Sequence, residues 1–501
     1  MKFVRSGLMI LFFAAFFYGQ KIQPATKPAT NLQTAVELIQ SGKLSEAEKL
    51  LREIIKRNPQ SADAKFLLGT LWIQVNKPDE GVKMLESVVR LNPKHLQANY
   101  NLALTYSAGG DNKKAIPYLE KAAGINPQNK KPKTEDIILL TALIRAYITE
   151  NRRTEAQNLL VTLENLNAQD VRTLFTVGLL SAELGDYAKA ARIFEKVNAA
   201  RSGSPEVLYN LGIAYYNLDK YEDARKFLVE AANLSPERAE IYYRLGLVFS
   251  AAKDSDGAVG YWLKARELAP NYHEANFLIG EELLKNKKIS GALPFYQKAA
   301  ALAPQKALYQ MRLGVAYFRL QQFGEARKVF ESLLAKYPEN ANFNYLKGYL
   351  ARAEGLFDEA IASFEKALKI SPNNPDVLAS LGYIALERGE SEKAGQILRQ
   401  TIKLDAKNSA AHYDLGRLFN RQKKYQEALQ VLERGAELSK EDPGIRYQLF
   451  LTYSRLKQKE KAAVAFAQFK RLENIFNAGS GSATAADKTP DLPVLAEKNQ
   501  P

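Results

Sequence analysis

The chain of 501 residues holds few side chains of the types that carry out catalysis or bind metal ions. It has no cysteine, which excludes disulfides, thiol nucleophiles and cysteine zinc sites. Its three histidines, His95, His273 and His412, are 178 and 139 residues apart, and neither an H-E-x-x-H nor a phosphate-binding G-x-x-x-x-G-K-[ST] motif occurs. Carboxylates are abundant but spread along the chain. We therefore predict that the protein is not an enzyme and binds no metal and no cofactor.

Positive charge is concentrated towards the C-terminal end of the chain. The net charge is +15, and residues 443–476 alone contribute +5. The cations of this possible basic patch are Arg446, Arg455, Lys457, Lys459, Lys461, Lys470 and Arg471. They suit either a solvated end of the fold or a contact with anionic lipid or an acidic partner. Because charge elsewhere is nearly balanced, without a continuous basic stripe, we expect no nucleic-acid partner.

The first 20 residues form a separate segment. Lys2 and Arg5 precede an apolar run from Leu8 to Gly19, which is typical of a secretory signal. This run is shorter than the roughly 18 residues of a spanning helix. Phe17 and Tyr18 make a poor cleavage site, so cleavage and retention as a short membrane anchor both stay open. We predict an exported protein, periplasmic or extracellular, or held at the inner membrane by the uncleaved segment, with residues 21–27 as a linker.

The rest of the chain repeats every 34 residues. The dipeptides Leu211-Gly212, Leu245-Gly246 and Leu313-Gly314 fall in the same phase. Each repeat is numbered here from 1 to 34, with this glycine at position 8. Thirteen repeats then tile the chain, three over residues 28–129 and ten over residues 137–476, separated by an insertion of seven residues at 130–136. Residues 477–501 lack the period, and we expect a disordered tail there.

Small and apolar residues recur at fixed positions of the repeat. Position 8 is glycine in nine repeats, position 20 is alanine in twelve, and position 24 is apolar in all thirteen. Position 32 is proline in eight repeats, which ends a helix. Glycine, aspartate, asparagine and lysine gather at positions 14–17, as in a turn. Each repeat is therefore predicted to form two helices that approach closely at positions 8 and 20.

This pattern resembles the tetratricopeptide repeat family, whose consensus runs W-x₂-L-G-x₂-Y, then A-x₃-F, then P. Repeat 6 carries it at Leu208, Leu211, Gly212, Tyr215, Ala224, Leu228 and Pro236. The resemblance implies an all-α solenoid in which antiparallel helix pairs stack into a right-handed superhelix. Position 8 departs from it at Ala35, Ala103, Ile144 and Phe450. Because Ile144 belongs to repeat 4, which follows the insertion, we expect a local break in stacking there.

The resemblance also implies where partners bind. In the family, first helices line the concave face through positions 2, 5, 9, 12 and 13. At positions 5, 9 and 12 the predicted groove residues are Phe66, Tyr100, Phe175, Tyr209, Ile213, Tyr216, Tyr243, Leu247, Phe277, Tyr345, Tyr349, Tyr383, Tyr413 and Tyr447. Two interpretations stay open: packing between repeats, or a tyrosine-rich groove for an extended peptide, a partner helix or glycan rings.

Two specialised binding modes of the family find no support in the sequence. Binders of chaperone tails place asparagine at position 9, and no repeat has it there. Sugar-transferring members carry a ladder of asparagines at position 6, where only Asn101 and Asn210 occur. We therefore predict a non-enzymatic exported scaffold that binds partner proteins or peptides in its concave groove, in assembly of a cell-envelope complex. The alternative is a periplasmic subunit of a polysaccharide synthesis or export machine, with a glycan as ligand.

Overall fold

The structure is a computed structural model that describes residues 30–125, 131–166 and 169–478. Within these ranges every regular element is an α-helix, which confirms the all-α prediction. None of the helices in the described ranges is long and apolar enough to span a membrane. The predicted signal segment, the linker and residues 479–501 of the tail lie outside the described residues. The chain divides into two compact bodies, Met1–Pro236 and Glu237–Pro501.

The described residues of the N-terminal body form one helix pair for each of repeats 1 to 6. Its helices are α1 (Thr30–Gln40), α2 (Leu44–Arg57), α3 (Ala62–Gln74), α4 (Pro78–Leu91), α5 (Leu96–Gly109), α6 (Asn112–Ala122), α7 (Ile137–Thr149), α8 (Arg153–Leu166), α9 (Val171–Glu183), α10 (Tyr187–Ala200), α11 (Pro205–Asn217) and α12 (Tyr221–Leu234). Odd-numbered helices are the first helices of their repeats, and even-numbered helices are the second.

The described residues of the C-terminal body continue the same alternation through repeats 7 to 13. Its helices are α13 (Ala239–Ala251), α14 (Ser255–Leu268), α15 (His273–Lys285), α16 (Ile289–Leu302), α17 (Ala307–Arg319), α18 (Phe323–Lys336), α19 (Ala341–Ala353), α20 (Phe357–Ile370), α21 (Pro375–Glu387), α22 (Ser391–Leu404), α23 (Ser409–Arg421), α24 (Tyr425–Leu438), α25 (Pro443–Arg455) and α26 (Lys459–Ala478). In this body first helices occupy positions 1–13, and second helices start at position 17.

The two helices of a repeat meet where a glycine faces a large apolar side chain. A Cβ atom added at Gly280 would lie 2.7 Å from Cε1 of Tyr296, closer than real Cβ contacts allow. One added at Gly348 would lie 2.7 Å from Cδ1 of Phe364. Both rings are at position 24 and are fully buried. The sequence predicted that small residues bring the helices together, and the structure shows that position 8 makes room for the side chain at position 24.

The turn between the two helices requires one residue with left-handed backbone. Position 15 has a positive φ in all thirteen repeats, from 57° at Asp219 to 82° at Gly110. Five repeats place glycine there and two place asparagine, residues that tolerate this conformation. The others use Asp219, Lys253, Lys287, Gln321, Lys423 and Lys457. Among the polar residues from which the sequence predicted a turn, the one at position 15 therefore has to adopt a positive φ.

First helices often begin at a side chain that caps their free N–H groups. Oγ of Ser61 accepts a hydrogen bond from the N–H of Ala64, and Oδ1 of Asn408 accepts one from Ala411. These capping residues occupy position 34, two residues after the usual proline. A capping bond of this kind contributes about 1 kcal/mol. Proline and cap together fix where one repeat ends and the next begins.

The break in stacking expected at repeat 4 is not found. Ile144 is fully buried in an apolar cluster that includes residues on both sides of the insertion. The hydroxyl of Tyr100 donates to Oδ2 of Asp136 at 3.1 Å, and that of Tyr147 donates to Oε1 of Glu120 at 2.7 Å. The expectation was wrong because the helix pairs before and after the insertion share one core.

The glycine at position 8 can be tested within repeat 8. Gly280→Ala should destabilise the protein by about 1–3 kcal/mol, since its Cβ would overlap the buried Tyr296 ring. Gly291→Ala is the matched control on α16, where the nearest atom is a side-chain carbon 3.8 Å away. The control should be neutral or stabilise by up to about 1 kcal/mol through better helix propensity. Urea unfolding of both variants measures the difference, and equal stabilities would contradict the packing described here.

Candidate functional site

The predicted groove residues of the N-terminal body lie on its first helices. Phe66, Tyr100, Phe175, Tyr209, Ile213 and Tyr216 are all partly exposed. Several also pack within the stack. The Phe66 ring lies 4.9 Å from the ring of His95, and the Phe175 ring 5.6 Å from that of Phe194. Burial, together with the Asp136 carboxylate, raises the pKa of Tyr100.

The corresponding residues of the C-terminal body differ in exposure. Tyr243, Leu247, Phe277, Tyr383 and Tyr413 are partly exposed, and Tyr447 is 40% exposed. By contrast, Tyr345 and Tyr349 are only 3% and 7% exposed, so they pack and offer little surface to a partner. The sequence left packing and binding open for the whole set. In the structure the exposure of these side chains differs from repeat to repeat.

Three first helices of the C-terminal body bring tyrosine and arginine side chains together in alternation. The guanidinium carbon of Arg352 on α19 lies 4.1 Å from the ring centre of Tyr349 and 4.9 Å from that of Tyr383 on α21. The guanidinium carbon of Arg417 on α23 lies 5.9 Å from the Tyr383 ring centre and 5.4 Å from that of Tyr413. Such contacts attract the cation to the ring face. We call these five residues the Tyr–Arg ladder.

One end of the ladder is neutralised by neighbouring carboxylates. Arg417 donates through Nη2 to Oε1 of Glu387 at 2.7 Å and through Nη1 to Oδ1 of Asp414 at 2.9 Å. Nη2 of Arg421 lies 3.6 Å from the same Glu387 oxygen. Asp414 is only 5% exposed, and burial raises its pKa to about 6 although Arg417 opposes the rise. The charge of Arg417 is therefore already met inside the fold.

Among the described residues Arg352 forms no direct ion pair of this kind, although its charge, like that of Arg417, opposes the rise in the pKa of Asp414. Within the described part of the chain, no carboxylate lies within 4.0 Å of its guanidinium nitrogens. Two tyrosine rings hold the planar group in place, and the side chain is partly exposed. A contact with a ring face uses no hydrogen-bond acceptor, so the N–H groups of the guanidinium are still able to donate. An edge of this kind suits a carboxylate, which accepts two parallel hydrogen bonds.

Sequence reasoning named the tyrosines of this site but missed its arginines. Arg352 stands at position 12, Arg417 at position 9 and Arg421 at position 13, all of them positions assigned to the concave face. The signal was therefore present in the sequence. The groove was predicted from the apolar and aromatic residues at those positions, and arginine was not among them.

The three histidines take part in local structure. Nδ1 of His95 accepts from the N–H of Ala98 and caps α5. Nδ1 of His273 lies 3.2 Å from the hydroxyl of Tyr309, and Nε2 of His412 lies 3.2 Å from the carbonyl oxygen of Ala406. Each ring thus has a polar contact with its own surroundings.

The possible basic patch lies on α25, the turn after it and α26. Nη2 of Arg446 donates to the carbonyl oxygen of Lys440 at 3.2 Å, and Lys470 pairs with Glu473 at 2.9 Å. The remaining cations, Arg455, Lys457, Lys459, Lys461 and Arg471, are exposed. The structure therefore places most of this charge on the surface of the last repeat.

Solved structures of other helical-repeat proteins resemble this chain at low identity. Yeast Tom70 is 16% identical, with 91% of this chain and 98% of that chain covered at a TM-score of 0.35. A tetratricopeptide repeat protein from Parabacteroides merdae is 19% identical, with 50% and 97% covered at 0.38. The Cut9–Hcn1 hetero-tetramer of APC/C is 13% identical, with 91% and 94% covered at 0.41. All three TM-scores are below 0.5.

Comparison with curated proteins found no match. Family models were matched along both bodies, and each is described as a tetratricopeptide repeat. The matched residues are 243–307 and 311–375 for one model, 38–105, 181–245 and 351–418 for a second, and 96–129 and 409–442 for a third. Together these matches span more than half of the chain and agree with the helix pairs described above. The chain therefore belongs to the tetratricopeptide repeat family.

Proposed function

We propose that this protein is an exported, non-enzymatic scaffold that binds an extended acidic segment of a partner protein at the Tyr–Arg ladder. As a tetratricopeptide repeat protein, the chain is a scaffold for protein–protein interactions. The ligand class, the site and the export are our additions. Assembly of a cell-envelope complex is the role that would unite them.

The arrangement of Arg352 carries the proposal. A long, mobile side chain normally loses rotamer entropy when it binds. Here Tyr349 and Tyr383 already hold the guanidinium, so less of that loss remains to be met on binding. Tyr383 is partly exposed and offers a ring beside the cation for an apolar group of the ligand. An extended peptide with an acidic side chain next to an apolar one matches both features.

Replacing Arg352 should weaken binding of acidic peptides. A random display library of peptides of twelve residues is selected for binding to residues 28–501 of the protein. The selected peptides should be enriched in aspartate and glutamate. Arg352→Ala should reduce their affinity at least about tenfold, since a charge-assisted hydrogen bond contributes about 1.5–3 kcal/mol. Arg352→Lys keeps the charge but loses the planar fork, so its loss should be intermediate. Anisotropy titrations measure both.

Arg399→Ala is the matched control, because this arginine is exposed on the second helix α22. It should leave affinity unchanged. Equal losses in the Arg352 and Arg399 variants would show only general charge attraction and would contradict the site. A protein that binds soluble polysaccharide but selects no acidic peptide would favour the alternative role in polysaccharide synthesis or export.

Binding should strengthen as the pH falls through about 6. The pKa of Asp414 is raised to about 6, so this carboxyl becomes protonated between pH 7.5 and pH 5.5. The attraction of Asp414 for Arg417 and for Arg352 then weakens, and Arg417 keeps Glu387 as its ionic partner. Ligand carboxylates of ordinary pKa, near 4, stay ionised over this range. We expect a gain of a few-fold in affinity at pH 5.5, measured by anisotropy.

Asp414→Asn should bind more tightly than the unmodified protein at pH 7.5 and should lose most of the dependence on pH. Its Arg417 keeps Glu387, so the variant should remain folded, which a melting curve checks. If the substitution left the pH profile of affinity unchanged, Asp414 would not be the group that causes the pH dependence of binding at the ladder.

Export is supported by the sequence of the first 20 residues alone. Lys2, Arg5 and the apolar run from Leu8 to Gly19 should direct a reporter out of the cytoplasm. Alkaline phosphatase fused after residue 30 should therefore be active. The paired control replaces Leu11 and Phe12 by arginine and should abolish activity. An intact fusion without activity would place the scaffold in the cytosol.

A further inference from the structure

The last repeat exposes a position that the other described repeats of its body bury. Position 24 is at most 1% exposed at Trp262, Tyr296, Phe330, Phe364, Leu398 and Leu432. In repeat 13 it is Phe466, which is 39% exposed. One cause lies on the facing helix α25, where Phe450 replaces glycine at position 8. The ring centres of Phe450 and Phe466 are 4.9 Å apart. Phe466 therefore lacks the space that a glycine at position 8 leaves for the side chain at position 24 in the other repeats of this body.

Phe466 belongs to a stripe of exposed side chains along α26. Lys459, Ala463, Phe466 and Lys470 are all exposed, and spacings of four, three and four residues put them on one side of the helix. We call these four residues the end stripe. Nζ of Lys470 lies 5.9 Å from the ring centre of Phe466.

Aromatic rings continue this surface on the neighbouring helix. The ring of Tyr447 on α25 lies 5.2 Å from that of Phe469, and Tyr447 is itself 40% exposed. The Phe466 and Phe469 rings are 6.2 Å apart. The end stripe is thus an apolar centre between two lysines, bordered by further rings.

The preceding repeat shows which element packs against the equivalent surface in this fold. The same four positions on α24 are Tyr425, Leu429, Leu432 and Ala436. Three of them, Leu429, Leu432 and Ala436, share an apolar cluster with Ile445 and Leu449 of the next first helix, α25. Within the described residues no helix follows α26 to cover the end stripe.

We propose that the end stripe docks an amphipathic helix of a partner protein, apolar at its centre and acidic towards both ends. A helix is proposed because the equivalent surface of α24 packs against a helix, α25. The charge follows from Lys459 and from the surplus of cations in repeat 13. Lys470, eleven residues or about 16 Å further along α26, adds a second cation whose charge is partly offset by its exposed pair with Glu473. A second copy of this chain would bring the same positive charge and is disfavoured. This surface is independent of the Tyr–Arg ladder.

A helix taken from the chain itself supplies the probe. Residues 273–285 form α15, an acidic first helix whose Ala275 and Ile279 pack with Trp262 of the preceding repeat. A stapled, fluorescein-labelled peptide of this sequence should bind the full chain saturably in an anisotropy titration. The same peptide with Glu274, Glu281 and Glu282 replaced by glutamine should bind at least about tenfold more weakly.

Two sets of variants locate the contact. Phe466→Ala, and separately Lys459→Glu with Lys470→Glu, should each weaken the peptide at least about tenfold. Lys461→Glu with Arg471→Glu makes the same charge change on α26 away from the end stripe and should change affinity less than about threefold. Melting curves establish that each variant is folded.

Several results would overturn the proposal. These are absence of peptide binding, equal losses in the two charge-reversed proteins, and binding that appears only after residues 479–501 are removed, which would assign the end stripe to the chain's own tail. Self-association abolished by Phe466→Ala in sedimentation would assign it to a second copy. Binding to phosphatidylglycerol vesicles that depends on the end stripe, without peptide binding, would assign it to a lipid surface.

Discussion

The fit between a glycine at position 8 and the apolar side chain at position 24 sets the distance between the two helices of a repeat. Tyr296 and Phe364 lie against Gly280 and Gly348 so closely that one added methyl group would collide. This contact recurs in the nine repeats that carry the glycine, so equivalent positions of their successive first helices recur in the same register. The Tyr–Arg ladder depends on that register, because its five side chains come from α19, α21 and α23.

Repeats that lack the glycine show what the contact does. In repeat 4 the residue is Ile144, position 24 is Leu160, and both are buried. In repeat 13 the residue is Phe450, position 24 is another ring, and Phe466 remains 39% exposed. Two branched aliphatic side chains can share the space, whereas two rings cannot both be buried there. That substitution contributes to the exposure of Phe466, and the rest of the end stripe is exposed because no helix follows α26 within the described residues.

The repeat, the helix pairs and the turn could be predicted from the sequence because each depends on residue types with one dominant physical effect. Glycine permits close approach and positive φ, and proline ends a helix. Exposure of the candidate site could not be predicted in the same way. Tyr345 and Tyr447 share position 5 yet are 3% and 40% exposed, since their burial depends on the residues of the following repeat. The continuous core across the insertion likewise depends on packing that the repeat phase does not encode.

The charges of the ladder explain why Arg352 is the residue proposed to meet a ligand. Arg417 lies between Glu387 and the buried Asp414, and a buried charge must be paired. Arg352 is stabilised by two ring faces instead and keeps its donors available within the described structure. A double-mutant cycle directly measures the interaction between Arg352 and a ligand carboxylate. It combines Arg352→Ala with glutamate→glutamine in a selected peptide, and affinities are determined for all four pairs. The account predicts a coupling energy of at least about 1.5 kcal/mol between the two groups, whereas additive losses would contradict a contact between Arg352 and the ligand carboxylate.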